Sequence, residues 1–246
     1  MTTATPIASW LQTLPRSPLN FGYAVNDGKM VQTATRWRTK VALIGASMLG
    51  DDPPPLDDQT WEVWGCNSLW RKHLDKKGQF RADRWFEMHP MSAQTEQELL
   101  DIADCPVPLY VLEEQPHLPH AVVYPFDLIE ERFSERHYFT VTFAYQIALA
   151  LSEGFKEIGL FGVELYQGST RERRVEWPCL TYWMGLARGL GVTLTLPNYS
   201  KLLWHEHLYG YDYDEDVAQS KIDDRDFALN WMREQHKEKH RKKAVR

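Results

Sequence analysis

Tyr138–Tyr166 reads YFTVTFAYQIALALSEGFKEIGLFGVELY, and the fold of the chain is decided there. In its first half Phe143, Ala144, Ile147, Ala148 and Leu151 recur at three- and four-residue spacing, which predicts a buried helix. Thr140 and Thr142 are its candidate caps, and Glu153-Gly154 is its stop, because glycine accepts the left-handed conformation in which helices end. The second half, Glu157–Leu165, is a short apolar run that suits a strand buried on both faces. A buried helix feeding a buried parallel strand is half of an α/β crossover unit. The strand runs out in Gly162, Glu164 and Tyr166, at the carboxyl edge where open α/β sheets bind ligands.

Working outward, the other strands follow the same pattern. Lys40–Gly45 (KVALIG) predicts a first buried strand opening into the small-residue turn Ala46-Ser47-Met48-Leu49-Gly50. Such a turn lets backbone N–H groups approach a phosphate, although its G-x-x-x-x-G spacing lacks the Lys-Ser/Thr of a P-loop; a plain strand-to-loop turn fits equally well. Trp61–Asn67 (WEVWGCN) is the second strand, with the Asn67 amide at its end offering donor and acceptor together, or simply forming a turn. Asp83–His89 (DRWFEMH) is the third, and His89 at its carboxyl end is a candidate for catalysis or phosphate binding as well as for a structural role. Further elements are a helix over 92–103 capped by Ser92, strands over 107–112 and 121–124, a helix over 127–136, a helix over 178–190 and a strand over 191–196.

Gln167–Glu176 (QGSTRERRVE) has the composition of a mobile loop above the carboxyl edge. Its Arg171, Arg173 and Arg174 would close on a phosphorylated ligand, or stand as a solvated surface. Phe21–Val25 and Met30–Ala34 flank Asn26-Asp27-Gly28 and predict an N-terminal hairpin. A final helix over 222–243 ends in a basic tail. Domain boundaries fall at 1–39 (extension), 40–208 (nucleotide-binding α/β domain) and 209–246 (helix and basic tail).

Composition bounds the function. A net charge of −6 argues against a dedicated nucleic-acid binder, leaving local contact through the basic tail open. Cys66, Cys105 and Cys179 show neither metal spacing nor even pairing, as a reducing cytoplasm favours. No apolar run of about 18 residues and no signal-peptide core are present, so a soluble cytoplasmic protein is expected, with its oligomeric state open. His117 and His120 lack a third ligand, and Asp212-Tyr213-Asp214 falls too late to follow a core strand, so no metal site is expected.

VALIGAS, WEVWGCNSLW, FTVTFAYQIALALSEGFKEIGLFGVELY and LTLPNYSKLL, in this order, resemble the Rossmann-like bacterial sialyltransferases that use CMP-sialic acid, and the related pterin-diphosphokinase-like family. With RWFEMHP and EWPCLTYWMGLARG, the arrangement is also similar to small bacteriophage proteins. The resemblance spans roughly residues 40–204. It implies a Rossmann-like, mostly parallel sheet flanked by helices, with an N-terminal hairpin and a C-terminal basic helix. It implies Gly45, Ala46 and Ser47 as the phosphate loop, with Asn67, Thr142 and Glu164 also on the nucleotide and Tyr166 on the donor phosphate. The loop here lacks the family's Gly-Pro-Ser, and the family's basic histidine has no counterpart, Arg174 falling near its place with Glu176 beside it.

The expected function is therefore a metal-independent, nucleotide-sugar-dependent glycosyltransferase with a hydroxyl acceptor, which the phage likeness extends to a modified DNA base. His89 or Glu176 would be the base, and Tyr166 with Arg173 and Arg174 would stabilise the leaving group. A non-catalytic nucleotide-binding protein and a diphosphokinase-like enzyme are the alternatives. No cofactor beyond the donor is implied.

Overall fold

The computed structural model describes residues 22–26, 29–33, 38–47, 52–67, 77–133, 138–165 and 169–204, and beyond them Asp223, Arg225, Leu229 and Asn230. For the first two segments and for Arg173 only the backbone is described. Met1–Leu203 form one compact unit and Trp204–Arg246 a second. Of the five described residues of the second unit, Asp223, Arg225, Leu229 and Asn230 are helical and Trp204 is not; the basic tail and Asp212-Tyr213-Asp214 lie outside the described residues.

Strands β1 (Gly22–Asn26) and β2 (Lys29–Thr33) pair antiparallel, Asn26 opposite Lys29, as the Asp-Gly turn predicts. The seven remaining strands form one sheet in the order β7-β6-β5-β4-β3-β8-β9: β3 (Lys40–Ile44), β4 (Trp61–Cys66), β5 (Arg84–Phe86), β6 (Leu109–Val111), β7 (Ala121–Val123), β8 (Glu157–Phe161) and β9 (Thr193–Thr195). Every neighbouring pair is parallel. The chain builds outward from β3 to β7, returns to the other side of β3, and builds outward again through β8 and β9. The order therefore reverses between β3 and β8, the position at which doubly wound sheets open a ligand crevice.

Alternation along the strands sorts the core. Val41, Leu43, Trp64, Cys66, Phe86, Tyr110, Ile158 and Leu160 face one main cluster, packed by α2 (Phe126–Phe133), α3 (Thr142–Glu153) and α4 (Trp177–Gly189). Trp85, Leu109 and Val111 face the opposite way, into a cluster with Ile102 of α1 (Glu96–Ala103). Ten of the twelve residues of α3 are buried, so this helix is enclosed on nearly every side and central to the domain. It ends as predicted at Gly154, which sits at φ 84°.

Three local expectations are corrected. Thr95 rather than Ser92 caps α1, in a reciprocal capping box with Glu98, and Met91–Ala93 form a separate 3-10 turn. Neither Thr140 nor Thr142 caps α3: its N-cap is Val141, which offers no side-chain bond, and the Thr140 hydroxyl instead donates to the Val175 carbonyl at 2.9 Å. Residues 170–176 are helical, not a loop: the Ser169 hydroxyl accepts from the Glu172 N–H at 3.2 Å, the Glu172 carboxylate accepts from the Ser169 N–H, and a π turn over Glu172–Glu176 runs directly into α4.

Candidate active site

A cavity of about 700 Å³ opens where the strand order reverses. Its floor is made of residues that directly follow four strands: Gly45, Ala46 and Ser47 after β3, Cys66 and Asn67 at the end of β4, Met88 and His89 after β5, and Gly162–Leu165 after β8. Phe139–Phe143 and Tyr145 supply one wall, and Arg171, Glu172 and Glu176 the rim. The structure thus brings Gly45, Ala46, Ser47, Asn67, His89, Thr142, Glu164, Arg171 and Glu176 to one hollow. Exposed Arg174 is not among the lining residues, and Tyr166 and the Arg173 side chain lie outside the described residues.

The β3–β8 junction is tight for a stated reason. The pairing of the two strands continues past their ends, Gly45 N–H to Phe161 C=O at 2.8 Å and Ser47 N–H to Gly162 C=O at 2.9 Å. A Cβ on Gly45 would collide with the Gly162 carbonyl, and one on Gly162, at φ 68°, with the Ser47 carbonyl. Two of the three amides of the expected phosphate loop are therefore spent on the sheet. Among the described residues, only Ala46 keeps its N–H for a ligand in that turn.

The positive end of α3 compensates. Thr142 and Phe143 open the helix against the cavity, and no side chain caps it. Ala144 N–H bonds to the Val141 carbonyl at 3.0 Å, and the start of a buried twelve-residue helix, with its positive dipole end, borders the hollow, an arrangement that favours an anion.

Asn67 stands apart in backbone conformation: it is the only non-glycine among the described residues with positive φ, at 59°. Its carbonyl accepts the Trp85 indole N–H at 2.5 Å, which holds the strained turn. Its side-chain Oδ1 is buried and takes no hydrogen bond from the described residues. A buried acceptor without a donor is costly, and a ligand N–H or O–H arriving from the cavity would satisfy it.

His89 is anchored by Glu87. The Glu87 carboxylate, 1% exposed, meets the ring at Nδ1 (2.6 Å) and accepts the His89 backbone N–H (3.1 Å), while the imidazole itself is 56% exposed. His89 and Met88 also line a second, smaller hollow of about 60 Å³ with Met91, Leu112, Glu113 and Gln115. His89 thus borders two openings. Burial, with Glu87 nearby as the lesser cause, pushes the Cys66 thiol up to about 12, so this cysteine is no thiolate nucleophile.

Aromatic rings form the remaining wall. Phe139 and Tyr145 lie 4.7 Å apart at 33°, and the Tyr124 hydroxyl donates to the Tyr145 carbonyl at 2.8 Å. The strap that carries Phe139 is tied to α4, since the Trp183 indole N–H donates to the Tyr138 carbonyl at 2.8 Å. On the rim, Arg171 Nε is 3.1 Å from Glu176 Oε1, so the two candidate groups are paired to each other.

Sequence reasoning missed Glu87 and the uncapped helix end. Glu-x-His at a strand terminus was a readable signal, since extended chain puts residues i and i+2 on one side. The helix end had no comparable mark. Among the described residues no group of three or more His, Cys, Asp or Glu is placed to hold a metal ion, and no helix is long and apolar enough to cross a membrane. His120 is buried, with Nε2 3.1 Å from the Ile102 carbonyl.

No protein-family model matches the chain, and no curated protein matches it. Solved structures similar to it include the sialyltransferase CstII from Campylobacter jejuni in complex with cytidine-5'-monophosphate, at 16% identity over 64% of this chain and 79% of that one (TM-score 0.37). The monofunctional alpha-2,3-sialyltransferase Cst-I from the same organism matches at 13% identity over 79% and 96% (TM-score 0.40). An alpha-2,3-sialyltransferase from Campylobacter jejuni in apo form matches at 12% identity over 76% and 94% (TM-score 0.35). Likenesses of this size leave substrate and activity to be read from the pocket itself.

Proposed function

We propose that this chain is a nucleotide-sugar-dependent glycosyltransferase that moves a sugar onto a hydroxyl acceptor. One observation carries the reading: a single cavity at the strand-order reversal gathers an unsatisfied amide acceptor, an uncapped helix N-terminus and candidate proton acceptors. Its volume, about 700 Å³, falls in the range of small-molecule and cofactor sites. Asn67 Oδ1 would accept from a base amine or ribose hydroxyl, Phe139 and Tyr145 would pack a ring, and the α3 N-terminus would face the phosphate.

In the reaction the acceptor oxygen bonds to the anomeric carbon and the bond from that carbon to the donor phosphate oxygen breaks. The hydroxyl proton passes to a base lining the cavity, His89 or Glu176, and the nucleoside phosphate leaves with the electron pair. Its charge develops beside the helix end and the Arg171 guanidinium, which in this proposal take the place of a divalent cation. Tyr166 and Arg173 are proposed to assist from the adjoining segment.

A non-catalytic nucleotide-binding protein is the second reading, and the loss of the Gly45 and Ser47 amides to strand pairing favours it. Incubation with CMP-, UDP-, GDP- and ADP-linked sugars, with simple alcohols, glycans and hydroxylated DNA as acceptors, decides between them. DNA belongs in the panel because the chain ends in a basic tail. Release of nucleoside phosphate from one donor is the expected result. A nucleotide-induced rise in melting temperature without release supports the second reading, a ligand at about 100 times its Kd adding about 2.7 kcal/mol. Neither release nor thermal shift with any nucleotide overturns both.

A further inference from the structure

We propose that Glu87 is a positioning residue that fixes the His89 imidazole as the general base of this site, with Nε2 taking the acceptor's proton. For the reaction this rests on the glycosyl-transfer reading; the state of the imidazole is tested independently of it. Glu87 and His89 flank Met88 just beyond β5, and the 2.6 Å contact between the carboxylate and the ring shows that both side chains turn to one side.

The carboxylate is buried and its backbone is pinned to the sheet. Glu87 is 1% exposed, its backbone N–H donates to the Tyr110 carbonyl of β6 at 2.9 Å, and its Oε1 takes both the His89 N–H and the Nδ1 side of the ring. An acceptor that close to Nδ1 selects the tautomer with the proton on Nδ1 and leaves the lone pair on Nε2. A buried carboxylate behind a half-exposed imidazole both orients the ring and stabilises the charge it acquires on taking a proton.

The choice of His89 over its rivals follows from what each already touches. Glu176 is paired with Arg171 on the rim. Arg174 is outside the lining. His89 alone of these borders both hollows, the larger with room for a nucleotide sugar and the smaller, edged by Met91, Leu112 and Glu113, opening a side from which an acceptor would approach. A base in a two-substrate transfer has to stand between the two reactants, and His89 is placed to do so.

The test begins with nitrogen-15 histidine spectra of the full chain, His89 being assigned among nine histidines by the peak lost in His89→Ala. The neutral ring is expected as the Nδ1–H tautomer, and Glu87→Leu is expected to convert it to the Nε2–H form that free imidazole side chains prefer. With the donor found in the panel above, Glu87→Leu should lower kcat about 100-fold or more and leave the donor KM within about twofold. Should Glu87→Leu fail to fold, Glu87→Gln, which keeps the shape, is read in its place for the same loss of kcat. A wild-type His89 in the Nε2–H form, an unchanged tautomer in Glu87→Leu, or a changed tautomer with undiminished kcat each overturns the proposal. A chain without any turnover refutes the transfer reading and leaves the tautomer result to decide the dyad.

Discussion

The two ends of one sheet treat charge in opposite ways. At the amino end Arg84, 6% exposed, is enclosed by Glu62 (2.7 Å), both oxygens of Glu153 (2.5 and 2.8 Å), the Tyr110 hydroxyl (3.2 Å) and the Trp64 ring. Burial pulls the guanidinium's pKa down, but Tyr110, Glu62 and Glu153 outweigh it, and the net shift is upward. Asp83 likewise holds Arg38, Arg81 and the Val63 N–H. At the carboxyl end Asn67 keeps an unsatisfied oxygen, α3 begins without a side-chain cap, and His89 is half exposed on its carboxylate. Charges in a closed network already have their partners; polar groups left open in a hollow wait for a ligand. Arg84 and His89 stand five residues apart around one short strand, so β5 spans both regimes.

Arg84→Ala strikes the closed end and should have the largest effect. It strands Glu62 and Glu153 in the interior, and losing one partner of a buried ion pair costs about 3–5 kcal/mol. Urea unfolding measures it; a loss below about 1 kcal/mol would mean water already reaches the pair. Replacing all three charged groups by apolar ones of similar volume should recover most of the loss, because the pair's own desolvation cost disappears with it.

Asn67→Gly strikes the open end and should separate binding from folding. Glycine accepts φ near 59° without strain and removes the unsatisfied oxygen, while it adds freedom to the unfolded chain. These contributions oppose each other, so stability should move by less than about 1 kcal/mol. Affinity for whichever nucleotide shifts the melting temperature should fall about tenfold, the worth of one buried hydrogen bond of about 1.4 kcal/mol. A large loss of stability with intact binding would make Asn67 a turn residue and nothing more.

Local pattern made much of this fold readable. KVALI and EIGLF are each uninterrupted short runs, and each became a strand buried on four of its five residues. Glu153-Gly154 stopped α3 where the left-handed glycine demands. Long-range pairing was not readable: that β8 would take the Gly45 and Ser47 amides depends on two segments more than 110 residues apart meeting in register. The arginine-rich stretch departs from its composition for a different reason. Its composition suits a loop, but Ser169-x-x-Glu172 is a capping box, and two satisfied orphan donors outweigh polarity. Once that stretch is helix, Arg171 and Arg174 leave the axis in different directions, which is why Arg171 reaches the cavity and exposed Arg174 does not.

Arg171→Ala should have the smallest effect on folding, and its direction on binding is the most informative. The Arg171 side chain is 71% exposed, so its pair with Glu176 is screened by water and contributes about 0.5 kcal/mol or less to stability. Two opposite consequences for a nucleotide follow from the same 3.1 Å contact. If the guanidinium meets the ligand's phosphate, its removal weakens binding about three- to tenfold at low salt, and the difference shrinks as the Debye length contracts to about 3 Å at 1 M salt. If the pair instead bars the rim, its removal strengthens binding, and Glu176→Gln, which also breaks the pair, strengthens it too. The proposed site requires the first pattern: weaker binding for Arg171→Ala, but stronger for Glu176→Gln, because a carboxylate facing an incoming phosphate repels it while the arginine attracts it. Titration of the two variants with one nucleoside monophosphate at low and high salt separates these patterns, and equal strengthening in both would turn the arginine from a phosphate ligand into a bar across the pocket mouth.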